Sequence, residues 1–326
     1  MVGFGPQTAA ARPLHRRQLL QAAALGGLCH GLWGCTADSH VLRPPEAVWG
    51  RFGYSPGRFN KPRAIAVDRQ DQLYIVDMTA RVQVFTSSGK FLRQWSTPES
   101  ANGRPTGISV DRDGNICVAD THYFRVLFYR PDGELLQAKT IGGTSGFGPG
   151  EFNFVTDVAQ DSHGNYYIAE YGEYDRIQKF DRDGNFVLQW GSHGDQPGQF
   201  MRPQAVAVDE RNFLWVADAC NHRIQLFDPS EEPVRLVDLW GRAGGSPGEL
   251  SYPYGICLEE GGTLLICEFG NDRVQRFTRE GRGQAIWGGN GRRPGELHQP
   301  WSLAQDSSGR IHVLDSYNHR VQSFSL

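Results

Sequence analysis

One phrase returns six times along this chain, and that return limits the possible folds more than any other feature. It begins at Asp77 as DMTARVQVF, at Asp120 as DTHYFRVLFY, at Glu170 as EYGEYDRIQKF, at Asp218 as DACNHRIQLF, at Glu268 as EFGNDRVQRF and at Asp315 as DSYNHRVQSF. Its Arg falls at 81, 125, 176, 223, 273 and 320, a spacing of 44 to 51 residues. Ahead of each copy lies a shared frame, such as Pro62 to Asp68, a polar turn, then Leu73 to Asp77. Three strands per unit follow. A further apolar run ending in Trp-Gly, as in Phe186 to Gly191 and Val237 to Gly241, supplies a fourth. Four short strands in a unit of this length is the arithmetic of a β-propeller blade. The near-continuous apolar character of the strands suits blades buried between two neighbours.

The expected fold is therefore all-β, a six-bladed β-propeller over residues 46–326. The chain ends on RVQSFSL, the third strand of unit six, so that blade lacks its fourth. Glu46 to Gly53, EAVWGRFG, carries the Trp-Gly that ends fourth strands elsewhere and is expected to complete the last blade. Closing the ring removes exposed sheet edges and predicts a monomer.

Residues 1–34 are of a different kind. Arg12, Arg16 and Arg17 precede an apolar run from Leu19 to Gly34, with no acidic residue. The run is too short and interrupted to span a membrane and reads as an export signal. Arg16-Arg17-Gln18-Leu19-Leu20 resembles a twin-arginine motif. Leu32-Trp33-Gly34-Cys35 resembles a bacterial lipoprotein cleavage box, from which bulky Trp33 departs. These features predict lipid attachment at Cys35, a tether over residues 35–45 containing Pro44-Pro45, and a periplasmic or cell-envelope location with membrane contact only through the anchor. Removing residues 1–34 takes away three Arg and no acid, moving the net charge from −3 to −6. That balance, with export, argues against a nucleic-acid partner. Cys117, Cys220, Cys257 and Cys267 show no CxxC or Cys/His metal spacing, so neither a disulfide framework nor a zinc cluster is indicated.

The six units with their Asn-His-Arg-Val-Gln-x-Phe wording resemble the NHL-repeat family of six-bladed propellers, exported bacterial members included. The resemblance covers about residues 46–326. It is specific for fold and weak for function, because the family includes RNA readers, extracellular sensor domains, scaffolds and the peptidyl-hydroxyglycine amidating lyases.

The Asp/Arg pair recurs in every unit, with Glu170 and Glu268 replacing Asp twice, and so reads as architecture. The residue before Arg is Ala80, Phe124, Asp175, His222, Asp272 or His319. Two histidines on separate blades read as occupants of a turn, with Asn221, Asn271 and Asn318 supplying left-handed or Asx-turn geometry just before them. WGxxGxxPGx(F/L), seen at Trp190 to Phe200, Trp240 to Leu250 and Trp287 to Leu297, lacks the Gly-Lys-Ser/Thr ending of a phosphate loop. Its glycines read as turn residues and its Trp residues as inter-blade packing.

By resemblance to the amidating lyases, zinc histidines would directly follow the Pro that opens each innermost strand. Those positions hold Arg63, Thr106, Thr156, Gln204, Tyr254 and Trp301, none of them an imidazole. No cofactor is therefore expected, save that Asp157 occupies the place of the lyases' calcium-binding Asp and is a candidate calcium ligand. The same six positions should ring the channel mouth and form the candidate ligand-binding site. Tyr254 and Trp301 give it an aromatic wall beside Arg63, and Arg51, Arg58, Lys61, Arg242, Arg292 and Arg293 approach it from the loops of blades five, six and one. Acidic turns such as VDRDG (Val110 to Gly114) lie on the opposite face. The expected function is a binding or scaffold module for an envelope protein or an anionic small ligand, with no catalytic residue. The rival is a metal-assisted hydrolase or lyase using Asp157.

Overall fold

The computed structural model describes residues 44–325. The export signal, Cys35 and the tether as far as residue 43 lie outside the described residues. Six four-stranded antiparallel sheets form the ring. Blade I comprises Pro62–Val67, Leu73–Asp77, Arg81–Phe85 and Phe91–Ser96. Blades II to VI begin with the inner strands Gly107–Val110, Phe154–Gln160, Pro203–Val208, Pro253–Leu258 and Leu303–Gln305. Second strands such as Leu73–Asp77 and Leu214–Asp218 are buried at every position, whereas the outer strand Phe91–Ser96 alternates half-buried and exposed. Each apolar core lies between blades: one joins Tyr74, Val76 and Val84 of blade I to Ile116, Val118 and Leu127 of blade II. Trp95, Trp190 and Trp240 each pack on the next blade, Trp240 at 5.1 Å from Phe277. No helix among the described residues is long and apolar enough to cross a membrane.

Ring closure follows the expected route. Ala47–Trp49 pairs antiparallel with Arg320–Phe324, Trp49 opposite Val321, and completes blade VI. Trp49 then packs 4.8 Å from Phe85 of blade I.

The recurring carboxylate and Arg meet in all six blades, at 2.5 Å between Glu170 and Arg176 and at 3.2 Å between Asp77 and Arg81. The Arg has a second task, capping carbonyls of the glycine-rich loop that leads into its own blade. Arg223 donates to the carbonyls of Asp195, Gln196 and Gln199, and Arg273 to those of Gly245, Ser246 and Glu249. The Gln two residues later completes the clamp. Gln225 Nε2 donates to Gln199 O at 2.8 Å, while its Oε1 accepts the Gly198 N–H at 2.9 Å. Gly198 sits at φ 82°, a conformation the loop reaches cheaply only with glycine. These loops are thus clamped connectors and hold no phosphate cradle. Blade II is the exception: Leu127 stands where the others have Gln. Asp120 keeps one buried oxygen without a partner, and burial, opposed by Arg125, pushes its carboxyl up to about 6.

The turn before Arg differs from expectation in one respect. The left-handed residue is the His itself, at φ 54° for His222 and 57° for His319. The preceding Asn closes a short 3-10 turn, and Asn221 Nδ2 donates to Asp218 Oδ2 and Gly194 O. This geometry aims the imidazole at the next blade. Tyr252 N–H donates to His222 Nδ1 at 3.1 Å, and Lys61 N–H to His319 Nδ1 at 3.0 Å. Asp175 and Asp272 serve identically, accepting the N–H groups of Arg202 and Gln299. All four donors have positive φ (47–59°) and precede a proline, so they would otherwise be orphaned at a strained corner.

An accepting Nδ1 must be unprotonated, and burial lowers the pKa of both histidines. Their pKa lies below its unfolded value, so their stabilisation is complete above about pH 6.5 and is lost as pH falls. Replacing both by the residue of the sister blades, His222→Asp with His319→Asp, should flatten the decline in melting temperature between about pH 7 and about pH 5. Parallel pH profiles for wild type and variant would refute the inter-blade role.

Candidate functional site

The inner strands enclose a channel of about 350 Å3, and all six sequence-selected positions lie in its lining: Arg63, Thr106, Thr156, Gln204, Tyr254 and Trp301. A β-bulge puts four of them there. In blades I, III, IV and V the register slips at Arg63, Thr156, Gln204 and Tyr254 respectively, so each of these blades carries one extra residue at the mouth.

The six are not equivalent. Thr156 is buried and donates its hydroxyl to Pro203 O of the next blade at 2.6 Å, and Thr106 Oγ1 lies 2.8 Å from Thr121 Oγ1. Gln204 is buried, its Oε1 accepting from Arg202 Nε at 2.9 Å. Thr156 and Thr106, which also bonds Thr156 O, thus link neighbouring blades, while Gln204 holds Arg202. Arg63 and Trp301 remain partly open to the channel, with the guanidinium 5.1 Å over the indole. Tyr254 stacks on Phe269 at 4.7 Å and meets Trp301 edge-on at 5.0 Å.

Three further cations reach this mouth. Lys61 Nζ lies 4.2 Å over Tyr317, and Arg202 lies 4.7 Å over Tyr171 and 5.4 Å over Tyr254. Arg104 stands close enough to Arg63 to disfavour its charge. Burial chiefly lowers the Arg63 pKa; Tyr171 opposes this, Arg202 adds to it, Tyr317 opposes it and Arg104 adds to it. Among the described residues, none of these four cations forms an ion pair with a carboxylate. Of the loop cations expected over blades five, six and one, Arg242 pairs with Glu249 at 3.0 Å. Lys61, Arg63, Arg104 and Arg202 lie at the mouth. Arg104 and Arg202 precede Pro105 and Pro203, as Lys61 precedes Pro62. That Lys/Arg-Pro pairing at three strand openings was the signal available in the sequence.

Asp157 lies in the channel wall, where its Oδ2 accepts the Val206 N–H at 3.0 Å. Burial raises its carboxyl to about 7 against the pull of the Val206 and Val158 N–H groups. It is the sole carboxylate in the lining, and no group of three or more metal-ligating side chains occurs among the described residues. A calcium ion needs six to eight oxygens. One carboxylate supplies at most two of them, so calcium at Asp157 would take the rest from backbone carbonyls and water.

A family model described as NHL repeat matches residues 102–127, 200–227 and 297–324. Over 197 residues the chain is 32% identical to peptidyl-glycine alpha-amidating monooxygenase A of Xenopus laevis, covering 57% of this chain and 20% of that protein. It is 29% identical over 178 residues to NHL repeat-containing protein 3 of Homo sapiens, covering 50% of this chain and 51% of that one. The chain thus spans between a fifth and a half of the length of these curated relatives. Among solved structures, a streptogramin B lyase superposes with a TM-score of 0.60 at 14% identity, over 84% of this chain and 95% of that one, a likeness of fold. Six blades on one repeated carboxylate–Arg frame, three of them matched directly, make this chain an NHL-repeat protein folded as a six-bladed β-propeller.

Proposed function

We propose that this propeller is a binding module whose channel mouth captures an anionic group, carried by a small ligand or by an envelope protein. One observation carries the reading: Lys61, Arg63, Arg104 and Arg202 converge on an aromatic mouth without a carboxylate partner among the described residues. Arg63, desolvated over the Trp301 ring and beside two further arginines, is stabilised by an incoming anion. Substituting Gln for Arg63, Arg104 and Arg202 together should leave the ring folded and weaken binding of small aromatic carboxylates by at least about tenfold, read by titration calorimetry. Unchanged affinity would refute the site.

The runner-up is lyase chemistry, favoured by the likeness to a peptidyl-glycine alpha-amidating monooxygenase. The channel positions that would carry zinc histidines hold no imidazole, so the residues present do not fit that metal and no step is derived through it. Export and lipid attachment at Cys35 belong to the same proposal and rest on the sequence of residues 1–35. Cys35→Ala should move the protein from the membrane fraction to the soluble fraction; retention there would refute the anchor.

A further inference from the structure

The channel wall carries two charges of opposite sign, neither neutralised by the protein. Among the described residues, Arg63 at the mouth and Asp157 in the wall are the only Arg, Lys, Asp or Glu side chains in the lining. They belong to blades I and III and do not pair with each other. The polar contacts of Asp157 are backbone N–H groups, from Val206 across the blade boundary and from Val158. Those donors fix the carboxylate in place and supply no counter-charge.

The residues level with that carboxylate in the other blades are small: Ala64, Gly107, Ala205, Gly255 and Ser302. A Cβ on Gly107 would come within 2.3 Å of Thr156 O and 3.0 Å of Asp157 Oδ1, so any side chain there would crowd the acid. The rest of the wall mixes apolar residues such as Val208 and Ile256 with Ser109, Gln160, Ser302 and Gln305. A volume of about 350 Å3, set against roughly 30 Å3 per water molecule, admits about a dozen non-hydrogen atoms.

An anion alone satisfies only the mouth, and a cation alone only the wall. We propose that the channel binds a small zwitterion of amino-acid type, its carboxylate on Arg63 and the neighbouring arginines, its ammonium on Asp157, and an apolar or aromatic side chain against Tyr254 and Trp301. This inference rests on the anion-binding reading of the mouth and adds the ammonium subsite to it. A bound ammonium also supplies the counter-charge that a buried carboxylate otherwise lacks.

The test compares three probes on the wild-type protein by titration calorimetry: L-phenylalanine, 3-phenylpropionate, which lacks the ammonium, and phenethylamine, which lacks the carboxylate. Phenylalanine should bind at least about tenfold more tightly than either. Asp157→Asn should erase its advantage over phenylpropionate without weakening phenylpropionate itself, and Arg63→Gln should weaken both acids. Equal binding of phenylalanine and phenylpropionate, both weakened by Arg63→Gln, would overturn the zwitterion and leave the anion site standing. Failure of every acid to bind would overturn both. Calcium raising the melting temperature of wild type but not of Asp157→Asn, with phenylalanine silent, would assign Asp157 to a metal and overturn the ammonium subsite.

Discussion

A chain beginning at Arg51 should lose the closed ring. Removing the closing strand deletes the Trp49–Val321 register, the Glu46 N–H bond to Ser323 O at 2.8 Å and the Glu46–Arg310 pair at 3.0 Å. It also strips Trp49 from the core between blades VI and I, where it packs on Phe85 and Phe59. Trp49 is half-buried, so its loss costs part of the about 3–5 kcal/mol of a fully buried Trp, and the vacated edge of Arg320–Phe324 would offer unpaired backbone groups to another chain. The expected result is a melting temperature lower by about 10 °C, together with concentration-dependent association. Trp49→Ala should show most of the thermal loss without the association, because the edge stays covered. A truncated chain as stable and monomeric as the whole one would show that the N-terminal strand does not close the ring.

The second large effect belongs to Arg176. This side chain is fully buried, and it bonds Glu170 Oε1, the carbonyls of Phe147 and Glu151, and Gln189 Oε1. Burial already pushes the Glu170 pKa up, and Arg176 is the strongest influence holding it down. Arg176→Met would strand a buried carboxylate, at a cost of about 3–5 kcal/mol. The sign of the pH dependence then separates a lost charge partner from a simple packing defect. A carboxyl whose folded pKa rises far above its unfolded value binds a proton on folding, so its penalty shrinks as pH falls. The deficit of Arg176→Met should be largest at neutral pH and smaller near about pH 5, and adding Glu170→Gln should recover a large part of it. A deficit independent of pH, unrelieved in the double variant, would mean that Arg176 acts through packing alone.

Blade number, strand order and closure were legible in the sequence because a repeat imposes one solution six times. Local geometry was less so. The motif Gln, at 83, 178, 225, 275 and 322, bonds loop backbone atoms 25 to 28 residues earlier, such as Glu151 O for Gln178, a role no local pattern announces. Likewise, the left-handed conformation sits on His222 and His319 and not on the Asn before them, because the Asn side chain is already engaged with the carboxylate. At the channel, alignment found the six mouth positions but not the bulges that aim four of them, nor the burial that commits Thr156 and Gln204 to the ring. Arg104 and Arg202 lie one residue outside the repeated frame, marked in the sequence by the proline after each, and the fold brings them beside Arg63.

Anomalous diffraction from crystals of the protein soaked in a brominated aromatic carboxylate tests the anion-binding mouth most directly. Bromine ordered beside Trp301 and Tyr254, with the carboxylate on Arg63, is the predicted result. Bromine ordered elsewhere, with the mouth empty at saturating concentration, would contradict it.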